Sequence, residues 1–544
     1  MKCIFSFKLV FWFSVIVTVA QPRNREVDIR WGETVRVSRS STLEDIIGYD
    51  SDGVYTIRKS ESMYANSILN LSSFKAIERY DHNMNLVRSV EVDLRHENHR
   101  KRRFEQVILY HGKLLLFTSF PNKDKKQNQL FVQEVDKETL FAEKKLHAVA
   151  TINYEGHSRY NSGTFDYTIS RDSSKLLIFY QLPYEKEEIE RFGFHVFDNK
   201  FDLLWEKQIT LNYQEELFDI AQYRVDNQGD IHILGKLFDK KRKEKRKGEA
   251  NYKYQILSYW NKGEELVEYP VEMSGIYLNN MRITIDDNQN IVCAGFYSEE
   301  GSNGMKGSYF LTIDKKSREV VKKTHKAFSA DFMAQGMKKR QAKKTKNKMA
   351  KDKDVELFNY NLNELILRDD GGAVLVSERA YTKQIQRSST DGMPNGRSYT
   401  RYYYHNIAVV SLNSAGVIDW AQKIPKWQIT DRDGGFYSSY AIAVINDKLH
   451  FIYNDHPKNL DAKSSKIHNF SLKRNKAIVV MVTIDSQGKQ KKQSLFLAAD
   501  AQTITRPKVC EQISDTELIV FGQRKKKQRL AKLSFGKSRQ LSNR

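Results

Sequence analysis

The stretch VDNQGDIHILGKLF (225–238) aligns without a gap on IDDNQNIVCAGFYS (285–298). Both read as an apolar residue, a polar Asp/Asn turn, an apolar run and a glycine, Gly235 against Gly295. The same shape recurs as YDSDGVYTI (49–57), LYHGKLLLFTSF (109–120), ISRDSSKLLIFYQ (169–181), LRDDGGAVLVSE (367–378), VINDKLHFIYND (444–455) and ISDTELIVFGQ (513–523), which makes eight copies. A unit this short cannot bury both faces of its own sheet, so the copies must stack on one another.

After each copy a third strand ends on a turn residue: Asp81, Asp136, Asp198, Asn261, Asp314, Asn413, Asp485 and Gly536. A fourth strand follows, as in LLWEKQITL (203–211) and VIDWAQKIP (417–425). Four strands per unit with little helical periodicity predict an all-β chain forming a single β-propeller. Eight four-stranded blades are expected, with seven as the alternative. High aromatic content, 12%, suits strands, and the 8 prolines mark no linker that would divide the chain into separate sandwiches. The eighth unit lacks a fourth strand of its own. VDIRWGETVRV (27–37) is the spare, with Trp31-x-x-x-Val35 resembling Trp205-x-x-x-Ile209 and Trp420-x-x-x-Ile424. The N-terminal strand is therefore expected to complete the last blade and cover two strand edges.

The N-terminus carries Lys2 and Lys8, an apolar run from Leu9 to Val17 interrupted by Ser14, and small residues ending at Ala20. This reads as a secretory signal peptide over 1–20, leaving a propeller over 21–544 that is secreted or held in the periplasm or cell envelope. No later apolar run is long enough to cross a membrane. Cys293 and Cys510 do not make a disulfide framework, and under the repeat alignment Cys293 occupies the ordinary strand position of Ile233.

In a propeller the 1–2 and 3–4 loops share one face. The 2–3 loops and blade-to-blade connections share the other, and here they hold the long insertions. Among these are DKKRKEKRKGEANY in blade 4, RAYTKQIQRSSTDGMPNGRSYTRYYYH in blade 6, and a basic insertion, 326–355, between blades 5 and 6. The full chain has net charge +22. Segments 95–103, 240–247, 338–353 and 524–529 carry +23 together, which leaves the remaining mature chain at −3. All four are expected on the long-loop face. Such a face attracts anions at long range and is sensitive to salt. The candidate anion-contacting residues are Lys240, Lys241, Arg242, Lys338, Lys339, Arg340, Lys343, Lys344, Arg524, Lys525 and Lys526. The plainer reading of these runs is a solvated basic surface. A second candidate site is the loop DRDGGFYSSY, with Asp431, Asp433, Tyr437 and Tyr440. Its plainer reading is a connection packed by its own aromatics.

Catalytic signatures are missing. HENH (96–99) has its second histidine one position early for a metalloprotease helix. A calcium loop from Asp431 fails at Ile442, and one from Asp50 fails at Val54 and Tyr55. No catalytic, cofactor or metal residue is assigned.

The eight units resemble secreted bacterial β-propellers of the WD40-like or quinoprotein-like type, although the G-H and W-D signatures are absent. YYYHNIAVVSLNSAGVIDWAQKIPK and the stretch after it are similar to uncharacterised secreted propellers, and that resemblance brings no assigned activity. The expected role is non-enzymatic binding or scaffolding through the basic face. The partner classes are an anionic polysaccharide, a lipid headgroup or an acidic envelope protein; outside the cytoplasm nucleic acid is not expected. The alternatives are a hydrolase or lyase with its site at the channel mouth, and a purely structural module. Convergent carboxylates or His with Tyr at the channel mouth would favour the enzyme.

Overall fold

The computed structural model describes residues 27–536 apart from 39, 61–73, 97–99, 241–250, 300, 302–303, 352, 354, 387–397, 461–466 and 473–475. The expected signal peptide, 1–20, lies outside the described residues.

Eight antiparallel sheets follow one another along the chain, each built on four strands. Blade 1 covers 41–91, blade 2 103–153, blade 3 164–214, blade 4 218–271, blade 5 277–327, blade 6 360–424 and blade 7 441–497. Blade 8 covers 511–535 and takes its outer strand from Val27–Trp31. The chain is an eight-bladed β-propeller. The second strand of every blade starts at or directly after the polar turn of its repeat copy, from Gly53 in blade 1 to Glu517 in blade 8.

The reason for stacking is visible in one strand. In blade 5 the second strand, Ile291–Ser298, is buried at every residue. Its side chains alternate between faces. Ile291 and Cys293 enter the cluster shared with blade 4, whereas Val292, Ala294 and Phe296 enter the one shared with blade 6. Both faces are covered, so the run is continuously apolar rather than alternating. Eight such clusters each bridge one pair of neighbouring blades. Every fully buried Leu, Ile or Phe in them contributes roughly 1.5–3 kcal/mol. The fourth strand of blade 5, Val320–Ala327, faces solvent almost throughout.

The Asp/Asn clusters between strands are turns. Asp226 Oδ1 accepts from the N–H of Gln228 and of Asp230, both at 2.9 Å, and Asp286 Oδ1 accepts from Asn290 N–H at 2.8 Å. The repeat glycine is steric. A Cβ on Gly235 would lie 2.3 Å from the Phe218 ring, and one on Gly295 would lie 2.6 Å from Met281 Sδ. In both blades the inner strand carries extra residues at this level, Ala221 and Asn280–Met281, and presses onto the second strand. Cys293 and Cys510 are buried and unpaired, which settles Cys293 as packing.

The N-terminal strand closes blade 8, with Val27 opposite Phe535 and Trp31 opposite Ala531. The tryptophan alignment does not hold. Trp205 and Trp420 pair with Val196 and Ser411, two residues before the turn residues Asp198 and Asn413. The equivalent partner in blade 8 is Ser534, and Asp28 sits opposite it. No covalent turn joins these two strands, so packing sets the register: Trp31 meets the Phe496 ring of blade 7 edge-on at 4.8 Å. The seam to blade 1 is sealed by Leu43, Ile46 and Val54 against Ile519, Phe521 and Leu530. Arg506 donates across it to Leu43 O at 2.6 Å and to Thr42 Oγ1.

Two expectations about loops change. The 3–4 loop of blade 2, residues 136–146, is longer than its counterparts. The blade 6 insertion is largely strand: Ala373–Ile385 and Tyr399–Leu412 extend the second and third strands into a projecting hairpin, and Tyr402–Tyr404 lie in a strand rather than a loop. Gln428–Asp431 adds a third strand to it.

Removing residues 27–31 should strip the outer edge of blade 8. Hydrogen–deuterium exchange is expected to quicken about 100-fold or more in 527–535 and to stay unchanged in 176–181. Equal protection of 527–535 with and without the strand would show that the clasp does not shield that edge.

Candidate functional site

The predicted basic residues that the structure describes lie in 2–3 loops and blade connections. Lys240 is exposed at the start of the blade 4 insertion, while Lys241 and Arg242 lie outside the described residues. Lys525 and Lys526 form the exposed turn of the blade 8 hairpin beside half-buried Arg524. The 326–355 insertion forms helix α1 (Ala330–Ala334) and helix α2 (Lys339–Met349).

Helix α1 is an anchor. Ser329 caps its start by accepting Phe332 N–H at 3.2 Å, and Phe332 and Met333 enter the core between blades 5 and 6. Lys423 donates its ammonium to Met333 O at 3.0 Å, at the helix C-terminal end where a cation is favoured. Burial, reinforced by Arg379, pulls the Lys423 pKa down to about 8.

Helix α2 lies on this anchor and buries none of its residues fully. Lys338, Lys339, Arg340, Lys343, Lys344 and Lys348 are all exposed. Lys339 and Lys343, Arg340 and Lys344, and Lys344 and Lys348 are like-charge pairs one turn apart, each destabilising by a few tenths of a kcal/mol. The first turn is basic and contains no acid, the wrong sign for the helix dipole, whereas Lys346 and Lys348 in the last turn have the favourable sign. Asp331 pairs with Lys346. The helix therefore holds an excess of positive charge against its own electrostatics, supported by tertiary packing.

The residues of the predicted loop site are engaged in different ways. Asp431 is bound bidentately by Arg401 at 2.7 and 3.1 Å. Asp433 Oδ1 accepts from Thr430 Oγ1 at 2.6 Å and from Gly435 N–H at 2.9 Å, as a turn aspartate does. Tyr437 is half-buried. Tyr440 points inward, with its hydroxyl buried and unpartnered. Asp431 borders an open groove of about 500 Å³ shared with Phe470, Leu472 and Arg524.

Behind the loop lies a buried polar network that the repeat pattern did not disclose. Lys426 pairs with Glu378 at 2.6 Å, both essentially without solvent contact, and Ser439 donates its hydroxyl to Glu378 Oε2 at 2.6 Å. Burial lowers the Lys426 pKa despite Glu378. His405 is buried beneath Trp427, stacked at 3.8 Å, and burial with nearby Arg379 and Lys426 pulls its pKa down to about 4. The one sequence signal was a charge, Glu378, closing the buried run Ala373–Ser377.

The inner strands line the axis and carry a second polar group. Asp45, Asp166, Arg224, Arg282, Glu364 and Glu511 sit on the inner strands of blades 1, 3, 4, 5, 6 and 8. Glu511 is exposed on its strand yet closely surrounded by protein. That enclosure, with Asp45 and Glu364, pushes its pKa up to about 7. Burial raises Glu364 as well, offset by Arg282 and Arg224. Burial raises the Tyr223 phenol, helped by its hydrogen bond to Asp166. Arg282 also ties blades 5 and 6, donating to Leu362 O at 3.2 Å. Among the described residues no three His, Cys, Asp or Glu side chains are placed to hold a metal ion.

No family model matches the chain, and no curated protein does. Among solved structures it is similar to the β-propeller domain of the Trilobed protease from Pyrococcus furiosus, at 12% identity and TM-score 0.32, over 88% of this chain and 98% of that one. It is also similar to a polysaccharide lyase, the PL25 ulvan lyase, at 10% identity and TM-score 0.33, over 81% and 92%. A protein of unknown function from Bacteroides caccae matches at 11% identity and TM-score 0.26, over 64% and 90%. These likenesses are distant, and the propeller rests on the sheets themselves.

Lys426→Met should cost about 3–5 kcal/mol because Glu378 is left charged and buried, and Lys426→Met with Glu378→Gln should recover much of it. Denaturant unfolding checks both; a mild single variant would show that the pair is not enclosed. His405 titrates near 4 when folded and 6.5 when unfolded, so the unfolded chain binds the extra proton between them. Stability should fall as pH drops from 6.5 to 4, by at most roughly 3 kcal/mol from this group. His405→Gln should flatten that part of the curve.

Proposed function

We propose that the chain is an exported propeller that binds a polyanionic partner through its long-loop face. The observation that carries the reading is α2, an eleven-residue helix whose basic side chains are exposed and whose like charges repel along its length. A polyanion laid on it would remove that repulsion and release counterions. The signal-like N-terminus supports an encounter outside the cytoplasm.

Replacing Lys339, Arg340, Lys343, Lys344 and Lys348 by Gln keeps helix propensity and removes the charge. Binding to dextran sulfate should weaken about tenfold or more at low salt, with a shallower dependence of affinity on salt. Unchanged affinity and slope would end this reading.

A second reading has its own observation. Glu511, Asp45 and Glu364 sit on inner strands within electrostatic reach of one another, Arg282 and Arg224 act on Glu364, and the Glu511 pKa is pushed up to about 7. This is the arrangement a hydrolase or lyase at the channel would use, with Glu511 as proton donor or acceptor. If so, chain-end release from a bound polymer should be seen with the native protein and be lost in Glu511→Gln while polymer binding persists. Absence of release from acidic polysaccharides by the native protein counts against it.

A further inference from the structure

We infer that the projecting arm of blade 6 is a stacking surface for the sugar rings of an acidic polysaccharide, which α2 holds by charge. This rests on the reading above and names its ligand.

The arm is Ala380–Ile385 paired with Tyr399–Tyr404, with Gln428–Asp431 on the far side of Tyr399–Tyr404. Register fixes which side chains share a face. Tyr381 is opposite Tyr403, and Tyr403 is opposite Ile429. Tyr399, Arg401, Lys383 and Trp427 follow on the same side by the two-residue period. The rings are contiguous: Tyr381 and Tyr403 stack at 4.6 Å, and His405 lies 5.8 Å from each and carries Trp427 above it. Trp427 has one face on His405 and is still 37% exposed.

Cations are interleaved with the rings. Lys383 lies 5.7 and 5.8 Å from the Tyr381 and Tyr403 centroids, and Arg432 lies 4.8 Å from that of Tyr399. This face turns to the side where α1 and α2 pack. Gly336, between the two helices, is close to Asn406 of the arm strand, and Arg379 at the base of the arm perturbs Lys423, which holds α1. Rings and basic helix thus leave the propeller at one blade junction.

The chemistry narrows the ligand. A large aromatic group with one free face, set in projecting strands, is poor packing and good stacking surface. The C–H faces of a pyranose fit such rings, and the hydroxyls of Tyr399 and Tyr403 suit sugar hydroxyls. The adjacent cations then require the sugar to carry carboxylate or sulfate groups. A nucleic acid would meet the same rings and charges, but it is scarce beyond an export signal.

The test uses the full mature chain with polygalacturonate, with polyphosphate as an anion lacking rings, and with oligo(dT). Trp427→Ala, and Tyr381→Ala with Tyr403→Ala, should each weaken polygalacturonate binding roughly tenfold and leave polyphosphate binding unchanged. Trp427→Phe keeps a ring on His405 and should retain most of the affinity; it serves as the informative variant if Trp427→Ala lowers the melting temperature. Native affinity in the alanine variants, beside loss in the α2 variant, would overturn the stacking inference and leave the charge reading standing. Equal loss toward polyphosphate would overturn it as well. Tighter binding of oligo(dT), lost in the same variants, would replace the sugar with a nucleobase. Full binding by the α2 variant would instead overturn the charge reading on which this one rests.

Discussion

The structure depends on one constraint: the second and third strands of every blade must have both faces covered by neighbouring blades. The middle strands are apolar at successive positions, as in Leu114–Phe117 or Ile478–Val482, so a blade alone would expose a greasy face on each side. Stacking relieves this for all but the end blades of an open row, and a closed ring relieves it for those too. Closure brings a new problem, because the seam between blades 8 and 1 has no covalent continuity through the sheet. The Val27–Trp31 strand answers it, bonding the last blade with the residues that precede the first. The seam is then held by apolar packing and by Arg506, whose buried guanidinium spans it.

How far this was legible follows from how local each signal is. The turn aspartates announce themselves because each bonds backbone N–H groups two to four residues on, as Asp198 does with Lys200 and Asp202. Eight turns of this kind, seven on Asp or Asn and the last on Gly536, fix blade number and strand order. The clasp was legible as a missing strand paired with a spare one, but its register was not, since no turn dictates which residue faces Ser534. The blade 6 arm was read as a loop for a related reason. Its strands beyond the blade stand clear of the neighbouring core, so no buried stripe marks them, and Tyr, Arg and Lys alternate without an apolar face. Glu378 and Lys426 are 48 residues apart and meet only when the 425–440 connection folds back over the blade. No local pattern carries that.

Charge divides the molecule in two. On the short-turn face carboxylates are consumed in turns and closed pairs: Asp226 and Asp230 share Lys315 at 2.6 and 2.7 Å, and buried His232 is fixed by Ser258 at 3.0 Å. On the long-loop side many of the surplus cations lie in segments added to the repeat, as in 326–355, although Lys525 and Lys526 sit in an ordinary hairpin turn. A destabilising feature such as α2 is tolerable there because its cost falls on a segment outside the blades, which α1 ties to the core between blades 5 and 6.

The junction of blades 5 and 6 concentrates these features, and its buried polar groups give the reason. Lys423 could reach the end of α1 only by being drawn into the protein, at a cost visible in its depressed pKa. His405, neutral because it is buried, makes a flat floor for Trp427 where an aliphatic residue would pack as well for stability alone. Polar groups of this kind stabilise less than apolar ones of the same volume, but they accept fewer arrangements. What they specify here is orientation: the tilt of a basic helix and the plane of an exposed indole, both fixed to a ring that has little freedom to bend. A surface set in advance loses less entropy on meeting a ligand.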